Sequence, residues 1–402
     1  MVFFRPERPG YGDDPYPELE RLRAAEPVHW SANLGAWVVT GYDACEQALL
    51  DAERFGADPA LEAGAAGERV AAHRRQMPFG EAPVLGHIDG AEHARLRGAV
   101  ARAFGARAIA GREADIRGLI GELTGRAGPG APFELMGGLA RPLAAMTALR
   151  HFGIDPAHWE GFHGAALAVM RARVDGLGDP AAGPAAAAAG GFILEALAAA
   201  AEDGAEGTVA AELAGAIDRG EVSAAEAIML LVHIGLAGNG PTAMALGTAA
   251  WALARHPEAM ARFLDGEVTA ADVLEEALRW DSPAHSVPRF AREDAELGGR
   301  RIRRGQRLLV MVAAANRDPS RFEEPDRFIP GRVGPRHLSF GVGPHYCLGA
   351  PLARAELAIA LEELARRFGA FRAAEGQRGG TLQVRGFERL VIVPGSREEL
   401  EG

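Results

Sequence analysis

Phe340-Gly341-Val342-Gly343-Pro344-His345-Tyr346-Cys347-Leu348-Gly349 sets one of only two cysteines in a 402-residue chain at the end of a glycine-rich loop. Apolar residues resume helical spacing directly after it, so a helix is expected from about Ala350 to Phe368. A helix N-terminus presents unpaired amides, and these favour the thiolate, the form of cysteine that ligates metal or attacks as a nucleophile. Gly341, Gly343 and Gly349 let the backbone approach a large flat object, and Phe340 is placed to cover the sulfur. Three readings follow from the residues. Cys347 is a metal ligand, a buried structural cysteine in a turn, or a nucleophile served by His345, for which no orienting carboxylate is evident.

The composition removes several chemistries. With 48% hydrophobic and 24% charged residues the chain is neither disordered nor fibrous. All 43 basic residues are arginine. No Walker-type lysine, pyridoxal Schiff base or lysine general base is therefore available. Two cysteines, Cys45 and Cys347, cannot build a disulfide framework, a cysteine zinc ribbon or an all-cysteine iron–sulfur cluster. The net charge of −11 argues against nucleic acid as a partner. The N-terminus has only a short apolar opening, Met1 to Phe4, before arginine, proline and acidic residues, which is neither a signal peptide nor an anchor. His233 interrupts the longest apolar stretch, Ile228 to Leu236. A cytoplasmic protein with no membrane partner is expected.

Along the chain, Val28-His29-Trp30 and Ala36-Trp37-Val38-Val39 read as a hairpin. Helical spacing runs from Asp89 to Leu123, broken at Gly105 and Gly111, and again through much of Phe133 to Ala254. Prolines and glycines between Gly176 and Gly191 read as a broken connection. Ser223, with Glu226 three residues on, is an N-cap for a long helix that His256-Pro257 stops. Its apolar residues face nearly every side, so it is expected in the interior. A short helix, Ala271 to Trp280, precedes strands punctuated by Gly298-Gly299 and Arg304-Gly305 and ending in the apolar run Leu308 to Ala314. A further strand is expected around Leu390 to Val393. The fold class is mostly α with a smaller β region.

The Phe-Gly-x-Gly-x-His-x-Cys-Leu-Gly pattern resembles the haem-thiolate loop of the cytochrome P-450 monooxygenases. Glu276-Ala277-Leu278-Arg279 is similar to that family's Glu-x-x-Arg helix, and Phe322-Glu323-Glu324-Pro325-Asp326-Arg327-Phe328 to the meander after it. Ala315-Asn316-Arg317-Asp318-Pro319 and Glu293-Asp294-Ala295-Glu296-Leu297-Gly298-Gly299 resemble soluble bacterial members, and His93-Ala94-Arg95-Leu96-Arg97 the helix that meets the haem propionates. The resemblance implies one haem domain over residues 1–402, with a helix-rich lobe, a small β-rich lobe and no fused reductase. The cofactor implied is haem b, lying between the central helix and the Cys347 loop, with Cys347 on iron and Phe340, Gly341 and Gly349 shaping the loop. His93, Arg97, Arg289 and His345 would neutralise the propionates. Glu276, Arg279 and Arg327 would form a buried triad, arginine's planar fork serving two partners at once. Electrons would come from ferredoxin and ferredoxin reductase or another external source.

The central helix departs from the family pattern. Ala-Gly-x-(Asp/Glu)-Thr is the usual segment, its acid and alcohol organising water and proton delivery. Here Ala237-Gly238-Asn239-Gly240-Pro241-Thr242 puts glycine at the acid and proline at the alcohol. Neither is a general acid. Proline also removes the hydrogen bond to the Ala237 carbonyl, so a kink is expected. Either Asn239 and Thr242 organise a different water network, or the enzyme dispenses with the usual relay, as peroxide users and coupling enzymes do. His233 shares a helix face with Ala237 and Pro241; it is a substrate contact or a satisfied core histidine. His285, Ser286 and Val287 match a pocket-lining segment, and Met77, Phe79 and Leu85 would form a variable wall. The function expected is oxidation of a small organic molecule or peptide in natural-product tailoring. Peroxide-driven or radical cross-linking is the alternative, and a non-enzymatic haem sensor the third.

Overall fold

Ser223 opens the helix that organises the molecule. Its hydroxyl accepts from the Glu226 N–H at 3.2 Å, while the Glu226 carboxylate accepts from the Ser223 N–H at 2.7 Å, a reciprocal capping box. In the computed structural model one helix then runs from Ala224 to Arg255, about 48 Å at 1.5 Å per residue. Pro257 opens the next helix, Pro257–Leu264. The structure describes residues 3–76, 82–125, 128, 130–154, 160, 161, 164–166, 168, 169, 182–202 and 207–395.

Both halves of the central helix lie inside the protein. Ala227 to Val232 pack with residues of the helices Gly90–Ala101, Arg141–Phe152 and Val209–Asp218. Ala243 to Leu253 pack with the helices Glu113–Thr124, Ala270–Trp280 and Ala350–Phe368 and with C-terminal strand residues Phe387, Leu390 and Ile392. By length and composition the helix would cross a membrane, but these contacts place it in the core. Between its buried halves, residues 233–242 are buried only at Gly235. Pro241 lies within this gap, and the helix continues through it rather than ending there.

Ten strands are described: β1 (Val28–Ser31), β2 (Ala36–Val39), β3 (Phe55–Gly56), β4 (Phe133–Glu134), β5 (Val287–Ala291), β6 (Ala295–Leu297), β7 (Arg300–Ile302), β8 (Arg307–Val310), β9 (Phe371–Gly380) and β10 (Arg385–Pro394). The main sheet has the order β1-β2-β8-β5-β3; β4, β10 and β9 form a second, and β6 and β7 a hairpin. Trp30 pairs with Trp37 across the first hairpin, their rings 5.4 Å apart. Gly298 and Gly299 turn the β6–β7 hairpin at φ +54° and +73°, the left-handed pair that a two-residue turn of this kind needs.

Two sequence expectations change. The run Leu308 to Ala314 is not one strand: β8 ends at Val310, and Val312–Ala315 form a helical turn. A short apolar run does not distinguish strand from helix. Residues 182–191 belong to a helix, Ala182–Glu202, because Pro184 falls in its first turn, where a missing N–H has no bond to lose. Residues 176–181 lie outside the described residues.

Candidate active site

The Cys347 loop is drawn tight by its own backbone. The Cys347 N–H donates to the Phe340 carbonyl at 2.8 Å and the Tyr346 N–H to the Gly343 carbonyl at 3.0 Å. Gly341 and Gly343 take φ of +69° and +76°, and a Cβ on Gly343 would press on the Leu49 carbonyl at 3.1 Å. Cys347 lines two adjoining cavities, of about 220 and 360 Å³, which also share Ala237, Gly238, Thr242, His345 and Gly349. The unburied stretch of the central helix thus roofs the space that the cysteine faces. Cys45, by contrast, is buried, and its thiol donates to the Val39 carbonyl at 3.2 Å.

The amides of the helix start do favour a Cys347 thiolate, but a larger effect opposes them. Burial pushes this thiol up, against the Gly349 and Ala350 amides and the Arg97 guanidinium, which pull it down. A cation on the sulfur would reverse that balance.

Basic side chains gather at one edge of this space. His93 and Arg97, one turn apart, line the first cavity; Arg289 lines the second, and His345 lines both. The His93 and His345 rings lie 4.3 Å apart, and Arg97 donates to the Tyr346 carbonyl at 2.8 Å. Burial, then the charges of His345 and Arg97, hold His93 down at about 4, so it is neutral at pH 7. Asp89 accepts from His345 at 2.8 Å, from Arg292 at 2.6 Å and from the Ala57 N–H at 2.9 Å. Burial would raise the Asp89 carboxyl, but these bonds hold it well below the usual range. Nothing in the sequence marks Asp89 beyond its place before Gly90 at a helix start, where it makes no capping bond.

Arg289 tests what the space would accept. It is 4% exposed, its Nε has no partner, and its Nη1 donates to the adjacent Pro288 carbonyl at 2.9 Å. Burial lowers its pKa to about 10 against the upward pull of the Asp89 charge, so at neutral pH it remains a buried cation, which an anion within hydrogen-bond reach would stabilise. A flat macrocycle that carries two carboxylates and offers a metal to one sulfur fits this arrangement.

Behind the loop, Arg279 uses all five of its N–H groups. Nε and Nη2 donate to Glu276, each at 2.8 Å, Nη1 to the carbonyls of Asn316 and Pro325, and Nη2 also to the Arg327 carbonyl at 2.9 Å. The third side chain of the cluster is Arg332, not Arg327. Arg332 Nε lies 3.2 Å from Glu276, whereas the Arg327 side chain is exposed and pairs with Glu324. Arg327 contributes its backbone carbonyl alone.

On the roof, Ala237, Gly238 and Thr242 line the cavities, with Pro241 on the second; Asn239 and Gly240 line neither. The pairing of Asn239 with Thr242 over the site is therefore not supported. His233 lines the first cavity among Leu85, Phe104, Phe152 and Ile234, where burial holds it down at about 4. Val287 lines the second. His285 does not line either. Its N–H bonds the Gln383 carbonyl at 2.8 Å, and its ring sits 3.9 Å from Asp281 and near Tyr16, away from the cavities. Met77 and Phe79 lie outside the described residues.

The family model described as cytochrome P-450 matches residues 268–378. Cytochrome P-450 144 of Mycobacterium tuberculosis is 33% identical, over 94% of this chain and 88% of its own. The 6-deoxyerythronolide B hydroxylase of Saccharopolyspora erythraea is 30% identical, over 88% and 87%. Among solved structures, the cytochrome P-450 enzyme CxnD for C–S bond formation in chuangxinmycin biosynthesis superposes with a TM-score of 0.85 at 27% identity, over 99% of this chain and 98% of that one. With similarity along nearly its whole length and a lone accessible cysteine facing a cavity edged by arginine and histidine, the chain belongs to the cytochrome P-450 family, oxidoreductases built on haem iron with a cysteine thiolate ligand.

Proposed function

We propose that the chain holds haem b between the central helix and Cys347 and oxidises a small organic molecule or peptide, tailoring a natural product in the cytoplasm. One observation carries the reading: an accessible cysteine and a buried arginine whose Nε has no hydrogen-bond partner face the same space beneath the unburied stretch of the central helix. Bound haem would supply the oxidative chemistry, its thiolate favouring O–O cleavage. Arg289, His93, Arg97 and His345 hold the two carboxylates, with Asp89 fixing the His345 ring. Phe340, Gly341 and Gly349 shape the sulfur's loop. Ala237, Gly238, Pro241 and Thr242 form the roof. Leu85, Phe104, Phe152 and Ile234 exclude water on the substrate side, where His233 offers a neutral imidazole and Val287 an apolar contact. The chain works as one haem unit fed by ferredoxin and its reductase or another external donor.

A second reading is peroxide-driven or radical coupling. Gly240 and Pro241 favour it, since neither can pass a proton, and the likeness to a C–S bond-forming enzyme is in keeping with it. The two separate by electron source. The first expects oxygen consumption with reduced ferredoxin to exceed peroxide-driven oxidation of a phenolic probe such as guaiacol. The reverse order would replace it with the second.

A further inference from the structure

The central helix offers this cavity no acid, yet one carboxyl stands on its wall. Glu356, on the helix Ala350–Phe368, lines the cavity together with Cys347, Gly238 and Thr242. Among the described residues that line the two adjoining cavities it is the sole acid. It is 3% exposed, and its Oε1 has no hydrogen-bond partner. Its helix neighbours at four residues either side, Leu352 and Ala360, are buried and apolar, so Glu356 interrupts an apolar stripe where a packing role calls for leucine or alanine.

An ionised carboxylate in such a place lacks the partner that burial of charge requires. Keeping its proton removes that cost, and burial alone pushes Glu356 up to about 8. Charged groups brought to this helix by its neighbours are engaged elsewhere: Arg117 with Glu362 and Glu363, and Glu275 with Arg354. The other titratable groups on the cavity wall are His93, Arg97, His233, His345, Tyr346 and Cys347.

We propose that Glu356 supplies protons to this cavity in place of the acid missing from the central helix. Its carboxylic O–H gives a proton to water in the cavity, and the carboxylate takes one back from bulk water, so the group is unchanged over a cycle. Electrons come from the external donor, and the proposal rests on the electron-driven reading above.

Two measurements on the haem-loaded protein test it. Infrared difference spectra at neutral pH should contain a protonated-carboxyl stretch that disappears in Glu356→Gln. Oxygen consumption with reduced ferredoxin should fall about tenfold or more in Glu356→Gln, with haem content and the carbon-monoxide spectrum unchanged. Glu356→Asp, which keeps a proton to give, should stay closer to wild type and so separate proton supply from packing. A wild-type protein without the stretch, or a Glu356→Gln protein that consumes oxygen at the wild-type rate, overturns the proposal. A wild type that consumes no oxygen with reduced ferredoxin overturns the electron-driven reading instead, and the infrared result still decides the state of Glu356.

Discussion

Replacing Arg279 with leucine is expected to remove about 3–5 kcal/mol of stability, the cost of breaking a buried ion pair from one side. That is a large share of the ~5–15 kcal/mol that holds a typical domain folded. The loss has two sources. Glu276 is left buried with only Arg332 and the Ile329 N–H. The carbonyls of Asn316, Pro325 and Arg327 lose their donor together. The segment tied by those carbonyls leads directly into the Cys347 loop, so haem retention should fall with stability. Chemical denaturation of the haem-loaded protein measures this. The same experiment separates the two downstream arginines: Arg332→Ala should lower the midpoint, and Arg327→Ala should leave it where it is. Equal effects from the two would contradict the assignment of Arg332 to the cluster.

Arg289→Leu should act with opposite signs on the two forms of the protein. In the haem-free chain it removes a buried donor that has no partner, a gain of about 1–3 kcal/mol. In the haem-loaded protein it removes a partner of a buried carboxylate, a loss of roughly 2–5 kcal/mol, or about thirtyfold to several thousandfold in haem affinity. Denaturation of the haem-free chain reads the first term, and haem transfer to a high-affinity acceptor reads the second. A variant that destabilises both forms alike would mean that Arg289 serves packing rather than an anion.

The features most legible in the sequence are those whose chemistry is local. The Cys347 loop, the capping box at Ser223 and the Glu276–Arg279 pair each lie within a few residues, so spacing alone gives their geometry. Arg327 and Arg332 were not separable that way. Both follow Glu276 by some fifty residues and sit in irregular backbone, in which Glu324 takes φ +43°, and no period says which side chain turns inward. His285 misled for a related reason. In a strand it would share a face with Val287, but β5 begins only at Val287, and the bond to Gln383 draws His285 toward the C-terminal hairpin. Asp89 stood only as the start of a helical stretch, and its hold on His345 and Arg292 joins segments some 200 to 260 residues apart, which no local spacing reveals. Glu356 did leave a signal, an acid within the apolar stripe of the last helix, though a stripe cannot show that the neighbouring space is a cavity.

The carbon-monoxide difference spectrum of the reduced protein, with Cys347→Ala beside it, tests the central claim most directly. The wild type should show the red-shifted band of thiolate-ligated haem, and the variant should lose it while Cys45 remains in place. A red-shifted band that survives in Cys347→Ala would remove Cys347 as the ligand, and with it the site described beneath the central helix.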